Sequence, residues 1–422
     1  MAQSPHSNQS TPTSAGKETT GNMSAMTRKL AADPHYYWFL VVFLVAESAL
    51  GSFVNDMYSP ALPAMCKFFH CQVSIAQMGL TMGMAGLAVG QIVLGPVSDR
   101  YGRKPVLIGS VILFIAGAVA SLFSPSIHFF NICRFFQGLG ASGGYFLART
   151  IPADIYSGRQ LAKLMALVGA INGIAPASAP VIGGVTADAY GWRGVFVVLA
   201  IFAVILLLLA PEVKESLAPD RRYRGRWIDS VRGYLVLLRN RPFMIHVTFK
   251  GLALGLLFAY ISASPFILQT HYGLSQTAYG LVVGFNAIFV AAGSMAALRF
   301  HPLKKAAAIG AIIVVVGFAG EAVALWTIHS LWLFEVLMVV GMFGLGLIFS
   351  TTNTLAMNEG RKSAGEASAI LGVAGYVVGA IVSPLVGLGN ILHSTAIAYV
   401  LISLLIFVFS RASAALAPDL DK

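Results

Sequence analysis

The chain has 422 residues, of which 57% are hydrophobic and only 11% charged, with a formal net charge of +11. Soluble domains carry about 25% charged residues, so this composition excludes an ordinary soluble globular protein. A basic surplus can signal nucleic acid or an anionic surface, but here its distribution along the chain gives it another meaning.

Residues 1–33 are rich in Ser, Thr, Asn and Gln and read as a disordered tail. Apolar runs of roughly 20 residues, enough to cross a bilayer, then recur twelve times. They centre near Glu47, Met84, Phe114, Gly143, Gly173, Val204, Ala259, Gly284, Val315, Gly344, Gly375 and Ile402. The expected fold class is an all-α membrane protein with twelve transmembrane helices. No cleavable signal precedes span 1, which is expected to act as an uncleaved targeting signal.

With the N-terminus inside, the cytoplasmic loops collect Arg100, Arg103 and Lys104, then Arg159 and Lys163, Arg299, Lys304 and Lys305, and Arg361 and Lys362. The middle loop adds Lys214, Arg221, Arg222, Arg224, Arg226, Arg232, Arg239 and Arg241. The opposite connections near Ser124, His271, His329 and Leu392 have neither Lys nor Arg, and two others hold only Lys67 and Arg193. This is the positive-inside asymmetry. The net charge therefore reports topology, with both termini cytoplasmic and no nucleic-acid partner.

Span 1 carries two acids in "AESALGSFVNDMYSPALP", Glu47 and Asp56. A carboxylate in hydrocarbon costs on the order of 2.5–3.5 kcal/mol on insertion scales, so each needs a reason to be there. Nine positions apart, they point about 180° apart on an ideal helix and differ by roughly 13 Å in depth. Gly51 lies between them, where a distortion could bring both to one cavity. Cys66, Cys71 and Cys133 make an odd count; Cys66 and Cys71 could pair near the outer face, but two free thiols suffice.

Between spans 2 and 3, "GPVSDRYGRKP" sets Asp99 among Arg100, Arg103 and Lys104. A topology signal explains the bases but not Asp99, Gly95 and Gly102 at this spacing; a charge cluster that forms in one conformation and breaks in another explains both. Span 4 holds Arg134, about 12 Å deep at 1.5 Å per residue. It is either the anchor of a buried polar network or the base of a functional site. Arg149 and Asp154, at the inner end of span 4, read as an ion pair or helix-end contacts. Span 5 strings Gly169, Gly173, Pro176, Pro180, Gly183 and Gly184 along one apolar helix, which suits close, kinked packing.

In the second half, Tyr260, Ser262, Ser264, Pro265 and Phe266 of span 7 and Asn286 of span 8 suit an adaptable apolar site, or equally interhelical hydrogen bonding. Glu366 reads as a surface residue beside Arg361 and Lys362. Glu321 and Glu335, in spans 9 and 10, have no evident role in the sequence. A faint repeat relates the two sets of six spans: "RKPVLIGSVILFIAG" echoes "KKAAAIGAIIVVVGFAG", and "APVIGG" echoes "SPLVGLG". The expected organisation is a tail (1–33), a six-helix bundle (34–211), a linker (212–241), a second six-helix bundle (242–412) and a C-terminal tail (413–422). There is no metal-spaced His/Cys cluster, no phosphate loop and no nucleophile elbow, so an enzyme is not expected.

The motif "GPVSDRYGRKP" (Gly95–Pro105) resembles the signature loop of the major facilitator superfamily, and "RFFQG" (Arg134–Gly138) resembles its second motif. "GAINGIAPASAPVIGG" (Gly169–Gly184) resembles the antiporter motif of its drug/proton exporters, with Ala179 where Gly is usual. "NDMYSPALP", "YISASPF" and "GEASAILG" resemble the bicyclomycin/chloramphenicol-resistance branch. The resemblance implies two pseudo-symmetric six-helix bundles with a central site at their interface. It also implies a monomeric proton-coupled antiporter of the inner membrane that exports a small, largely apolar drug-like compound, driven by the proton gradient with no cofactor. An exporter of an amino acid or siderophore and a proton-coupled uptake symporter are the alternatives. The implied partners are substrate, protons and the lipid bilayer. Expected proton-coupling residues are Asp56 paired with Arg134, with Glu47 a deeper proton or cation site. Expected substrate contacts are Asn55, Tyr58, Gln137, Tyr260, Ser264, Phe266 and Asn286. Gly95, Asp99, Arg100, Gly102, Arg103 and Lys104 form the latch. Gly169, Gly173, Pro176, Pro180, Gly183 and Gly184 form the antiporter helix.

Overall fold

The structure, a computed structural model, describes residues 30, 32–223, 234–327 and 330–416. Most of the tail 1–33, His329, linker residues Arg224, Arg226 and Arg232, and the last six positions lie outside the described residues. Helices are α1 (Pro34–Asp56), α2 (Leu62–Phe68), α3 (Val73–Tyr101), α4 (Arg103–Leu122), α5 (Ile127–Ile155) and α6 (Gly158–Leu209). After the linker come α7 (Arg241–Pro265), α8 (Gln276–Ala296), α9 (Leu303–Val314), α10 (Gly320–Thr327), α11 (Leu331–Glu359), α12 (Ala364–Leu385) and α13 (Ile391–Ala414). No strand occurs among the described residues.

Local chemistry sets the ends. Asp33 accepts from the N–H groups of His35 and Tyr36, ahead of Pro34 in the first turn of α1, and an N-cap side chain with a first-turn proline suits a helix start. Asn240, Ser275 and Asn390 cap α7, α8 and α13 in the same way. Helix α6 contains two crossings: Gly191, at φ 71° and ψ 179°, breaks it, a left-handed backbone value that glycine adopts without a Cβ penalty. α7 runs on through a π turn at Phe266–His271, and a second π turn, Val315–Ala319, joins α9 to α10.

Ten helical segments are long and apolar enough to cross a membrane, and Gly158–Glu212 is one of them. Dividing that segment at Gly191 adds an eleventh. The twelfth is α5, 29 residues long, whose apolar run is interrupted by Asn131, Arg134 and Gln137. The twelve expected crossings are therefore all present, and the chain is a multi-pass membrane protein.

Each set of six has its own buried core. Leu44, Leu80, Phe114, Phe130 and Phe196 belong to the first, and Leu256, Phe318, Met338, Leu345 and Tyr399 to the second. With twelve crossings, the start of α1 and the end of α13 fall on one side of the bundle, called here the terminal side; α2 and the Gly191 break fall on the far side. The seam between the two sets is lined by small residues. A Cβ on Gly284 of α8 would sit 2.7 Å from the Ala177 carbonyl oxygen of α6, and one on Gly379 of α12 would sit 2.9 Å from Met84 Sδ of α3. At Gly284, where the neighbour is backbone, a larger side chain would need a helix to move; at Gly379 the Met84 and Phe258 side chains would have to give way.

A cavity between the two halves

A cavity of about 1130 Å³ lies between the two sets of helices, lined by Asn55, Asp56, Pro176, Phe258, Tyr260 and Asn286 among others. Its wall is mostly apolar, with a few convergent polar groups, the usual make-up of a small-molecule site. Of the lining residues only Asp56 and Lys250 are charged. Asp56 sits at the deep end, beside Ser59. Lys250 sits toward the terminal side, with Nζ 2.7 Å from Asn353 Oδ1 and Arg149 within electrostatic reach.

Of the lining residues, Ala170, Asn353 and Thr354, on the terminal-side stretches of α6 and α11, are exposed, whereas on the far side the halves touch. There, hydrogen bonds cross between the halves. Gln77 Nε2 donates to the Ser262 carbonyl (2.9 Å), Gln269 Nε2 to the Pro60 carbonyl (2.8 Å) and Thr81 Oγ1 to the Ala380 carbonyl (3.1 Å). Asp188 Oδ2 accepts from the N–H and hydroxyl of Thr277, at 2.8 and 2.5 Å. The Tyr279 hydroxyl reaches Ser59 Oγ at 3.3 Å. Gly184 approaches the Gln276 carbonyl and Gly280 the Pro180 carbonyl too closely for any Cβ.

Arg134 is fully buried beside this floor but does not pair with Asp56. Its guanidinium donates to Gln137 Oε1, to the Val54 carbonyl and, at 3.2 Å, to Asn55 Oδ1. It also stacks over the Tyr58 ring, 4.3 Å from the centroid. The reason is helical geometry. Asn55 and Asp56 point about 100° apart on α1, so Asn55 takes the face toward α5 and Asp56 the face toward the cavity. The Val54 carbonyl belongs to the C-terminal turn of α1, where partial negative charge favours a cation. The expected Asp56–Arg134 pair is thus replaced by a neutral network around Arg134.

Other expected site residues divide. Asn55, Tyr260 and Asn286 line the cavity. Tyr58 and Gln137 instead serve Arg134; Ser264 is 3.3 Å from the Tyr279 hydroxyl; and Phe266 packs into the first half's core. Glu47 is fully buried against Gly144 of α5, outside the cavity, with neither carboxylate oxygen hydrogen-bonded. The small residues of α6 also divide. Gly169, Gly173, Pro176 and Pro180 line the cavity, whereas Gly183 abuts the Met57 carbonyl and Gly184 the Gln276 carbonyl. Only the outer part of that helix packs densely. Among the cavity residues that the sequence did not flag are Lys250, Asn353, Tyr145 and Tyr376. Lys250 had a readable signal, a lone base inside the apolar run of span 7.

The charged loop after α3 forms a network within the first half. Arg103 pairs with Asp99 (2.5 Å) and Asp154 (3.0 Å) and donates to Ser98 Oγ (2.6 Å). Asp154 also accepts from Ser216 Oγ at 2.9 Å, and Lys104 Nζ reaches the Pro211 carbonyl at 2.6 Å. Asp154 therefore pairs with Arg103, and Arg149 turns instead to the Tyr145 hydroxyl at 2.8 Å. Gly102, at φ 105°, is packed against Glu215 and Arg222 of the linker, a turn that no residue with a side chain would make without strain. The Gly95 position faces the Phe146 ring. The cluster ties the ends of α3, α4 and α5 to the linker rather than one half to the other. Cys66, Cys71 and Cys133 are free thiols, and Cys66 Sγ donates to the Cys71 carbonyl at 2.8 Å.

This chain belongs to the major facilitator superfamily, whose family model matches residues 38–384. It is a membrane transporter and not an enzyme. It is 35% identical over 357 residues to the uncharacterized MFS-type transporter YdgK of Bacillus subtilis (strain 168), covering 83% of this chain and 89% of that protein. It is 27% identical over 362 residues to the multidrug resistance protein MdtL of Escherichia coli O81 (strain ED1a), covering 84% and 91% respectively. Among solved structures, the partially occluded inward-open xylose transporter XylE of E. coli superimposes with a TM-score of 0.71 at 16% identity, over 90% of this chain and 98% of that one. At that identity the likeness concerns the fold alone.

Proposed function

We propose that this chain is a proton-coupled antiporter of the inner membrane, in the bicyclomycin/chloramphenicol-resistance branch, that exports small, largely apolar compounds. The observation that carries this reading is the cavity between the two halves, largely apolar and holding one acid, Asp56. The positive-inside distribution of Arg and Lys makes the terminal side cytoplasmic, with both tails there and helices 34–211 and 242–412 as the two rocking bundles. The likeness to a multidrug resistance protein across most of both chains supports efflux as the direction.

In the proposed cycle Asp56 holds a proton when the cavity faces outward. It releases that proton to the cytoplasm as substrate enters from that side. The halves then rock, the far-side contacts part, and an external proton displaces the substrate. Proton and substrate must bind the two states differently, because a ligand shifts an equilibrium only through differential affinity. Arg134 holds the floor in shape throughout, and the Arg103 cluster keeps the first bundle rigid. The transporter works as a monomer, with no cofactor beyond the proton gradient.

A second reading rests on Lys250. A base near the mouth and an acid at the floor would suit a zwitterionic metabolite, such as an amino acid, as well as an apolar drug. Proteoliposomes separate these readings. With wild-type protein, apolar antibiotics such as chloramphenicol should dissipate an imposed pH gradient, amino acids should not, and Asp56→Asn should abolish the effect. Proton flux in the same direction as substrate would mean a symporter and would overturn the antiport scheme.

A further inference from the structure

The second half buries two acids that the proposed cycle does not use. Glu321 of α10 is fully buried, and neither of its carboxylate oxygens has a hydrogen-bond partner among the described residues. Glu335 of α11 accepts at Oε2 from Asn286 Nδ2 (3.1 Å), while its Oε1 has no partner. The two acids lie within electrostatic reach of each other.

Among the described residues, no Lys, Arg or His forms an ion pair with either acid. The ionisable side chains within electrostatic reach of one or both acids are Tyr260 of α7, Tyr272 of the following turn and Tyr399 of α13. The three described ion pairs all lie around Asp99, Asp154 and Glu215, in the first half and the linker. A dry carboxylate with no cation beside it is strongly disfavoured, and two in one pocket repel each other. A second, independent sign points to a missing occupant. The Tyr399 hydroxyl is fully buried, lies within electrostatic reach of both acids, and has no hydrogen-bond partner among the described residues.

The pocket is also connected. Asn286 Nδ2 bridges Glu335 to the Tyr260 hydroxyl (2.9 Å), and both Asn286 and Tyr260 line the cavity. We infer that Glu335 and Glu321 form a second proton-binding site, in the second six-helix half, which exchanges its proton with cavity water past the Asn286 and Tyr260 side chains that separate the two. The occupant is a proton rather than a metal ion, because an amide donor, not an acceptor, points at Glu335. One proton leaves cavity water, binds Glu335 Oε1 and neutralises that carboxylate; no other bond changes. Glu321, further from the cavity, keeps its own proton and prevents both acids from ionising together.

This inference does not depend on drug efflux, and its test needs no substrate. Infrared difference spectra are recorded on the full chain in lipid nanodiscs, in H₂O and D₂O, across an alkaline titration. The wild type should show protonated-carboxyl absorption with a fast-exchanging and a slow-exchanging component. Glu335→Gln should remove part of the fast component and Glu321→Gln part of the slow one, what remains belonging to Asp56 and Glu47. Replacing choline with sodium at constant pH should change neither. Asn286→Ser keeps both acids and covers the case in which a Gln variant fails to fold; it should slow exchange of the fast component about tenfold, the effect of losing one hydrogen bond. The inference is overturned if Glu335→Gln leaves the absorption as in wild type, if sodium discharges it at constant pH, or if Asn286→Ser leaves the exchange rate unchanged.

Discussion

The two ends of the interface between the halves are built from different materials. At the far end, single hydrogen bonds such as Gln269 to Pro60 and Thr277 to Asp188 cross between backbones brought close by Gly184 and Gly280. Toward the terminal end the halves leave a mostly apolar cavity between them. Each crossing bond contributes only about 1 kcal/mol net, so the far end can open without great cost. Within the first half, by contrast, Arg134 is held by three acceptors and two rings. The lesson is that motion belongs between the bundles and rigidity inside them.

The strongest way to break that distinction is to damage the rigid part. Arg134→Ala leaves the Val54 carbonyl, Asn55 and Gln137 without their buried donor. It should cost roughly 3 kcal/mol or more and appear as a large fall in unfolding temperature in detergent. Arg134→Lys should recover only part of this, because one ammonium does not reproduce the planar fork.

A wedge at the far end should act differently. Gly280→Leu overpacks the α6–α8 approach by an amount worth about 1–3 kcal/mol. It should shift the population toward the far-open shape by roughly one to two powers of ten, while each bundle keeps its own core. Far-side spin-label distances should lengthen and transport should fall at least about tenfold, with little change in unfolding temperature. A collapse of the fold instead would mean that the far side is structural and not a gate.

Asp56→Asn sharpens the comparison at the point where the two ends meet. Gradient-driven transport should be lost, while exchange of labelled for unlabelled substrate, which needs no net proton movement, should survive. Glu47→Gln, buried away from the cavity, should leave coupling intact. The smallest effect is expected for Thr277→Ala, which removes one hydroxyl bond at an exposed position. A shift of about two- to fivefold toward the far-open state, read from the same spin-label distances, fits the worth of a single hydrogen bond.

Much of this was legible in the sequence. The twelve apolar runs survive contact with the structure, and Asp99 and Arg103 do pair, because length, periodicity and i to i+4 spacing are local properties. What failed was lateral. Asp56 and Arg134 are both costly in hydrocarbon and invited pairing, yet a rotation of one residue on α1 gives Arg134 to Asn55 instead. Tyr145 and Tyr376 carry no sequence mark, since only the crossing of distant helices brings them to one wall. Gly183 and Gly184 were readable as close-packing residues, but the Met57 and Gln276 carbonyls they meet were not.

The account turns on the far side having to open for transport. The most direct test is a reversible lock across it: Asp188→Cys with Thr277→Cys, in a background with Cys66, Cys71 and Cys133 replaced by Ser. The two side chains are in direct contact, so oxidation should link them. Gradient-driven transport in proteoliposomes should stop on oxidation and return on reduction. Equal transport in the oxidised and reduced protein, with the cross-link verified, would contradict the account.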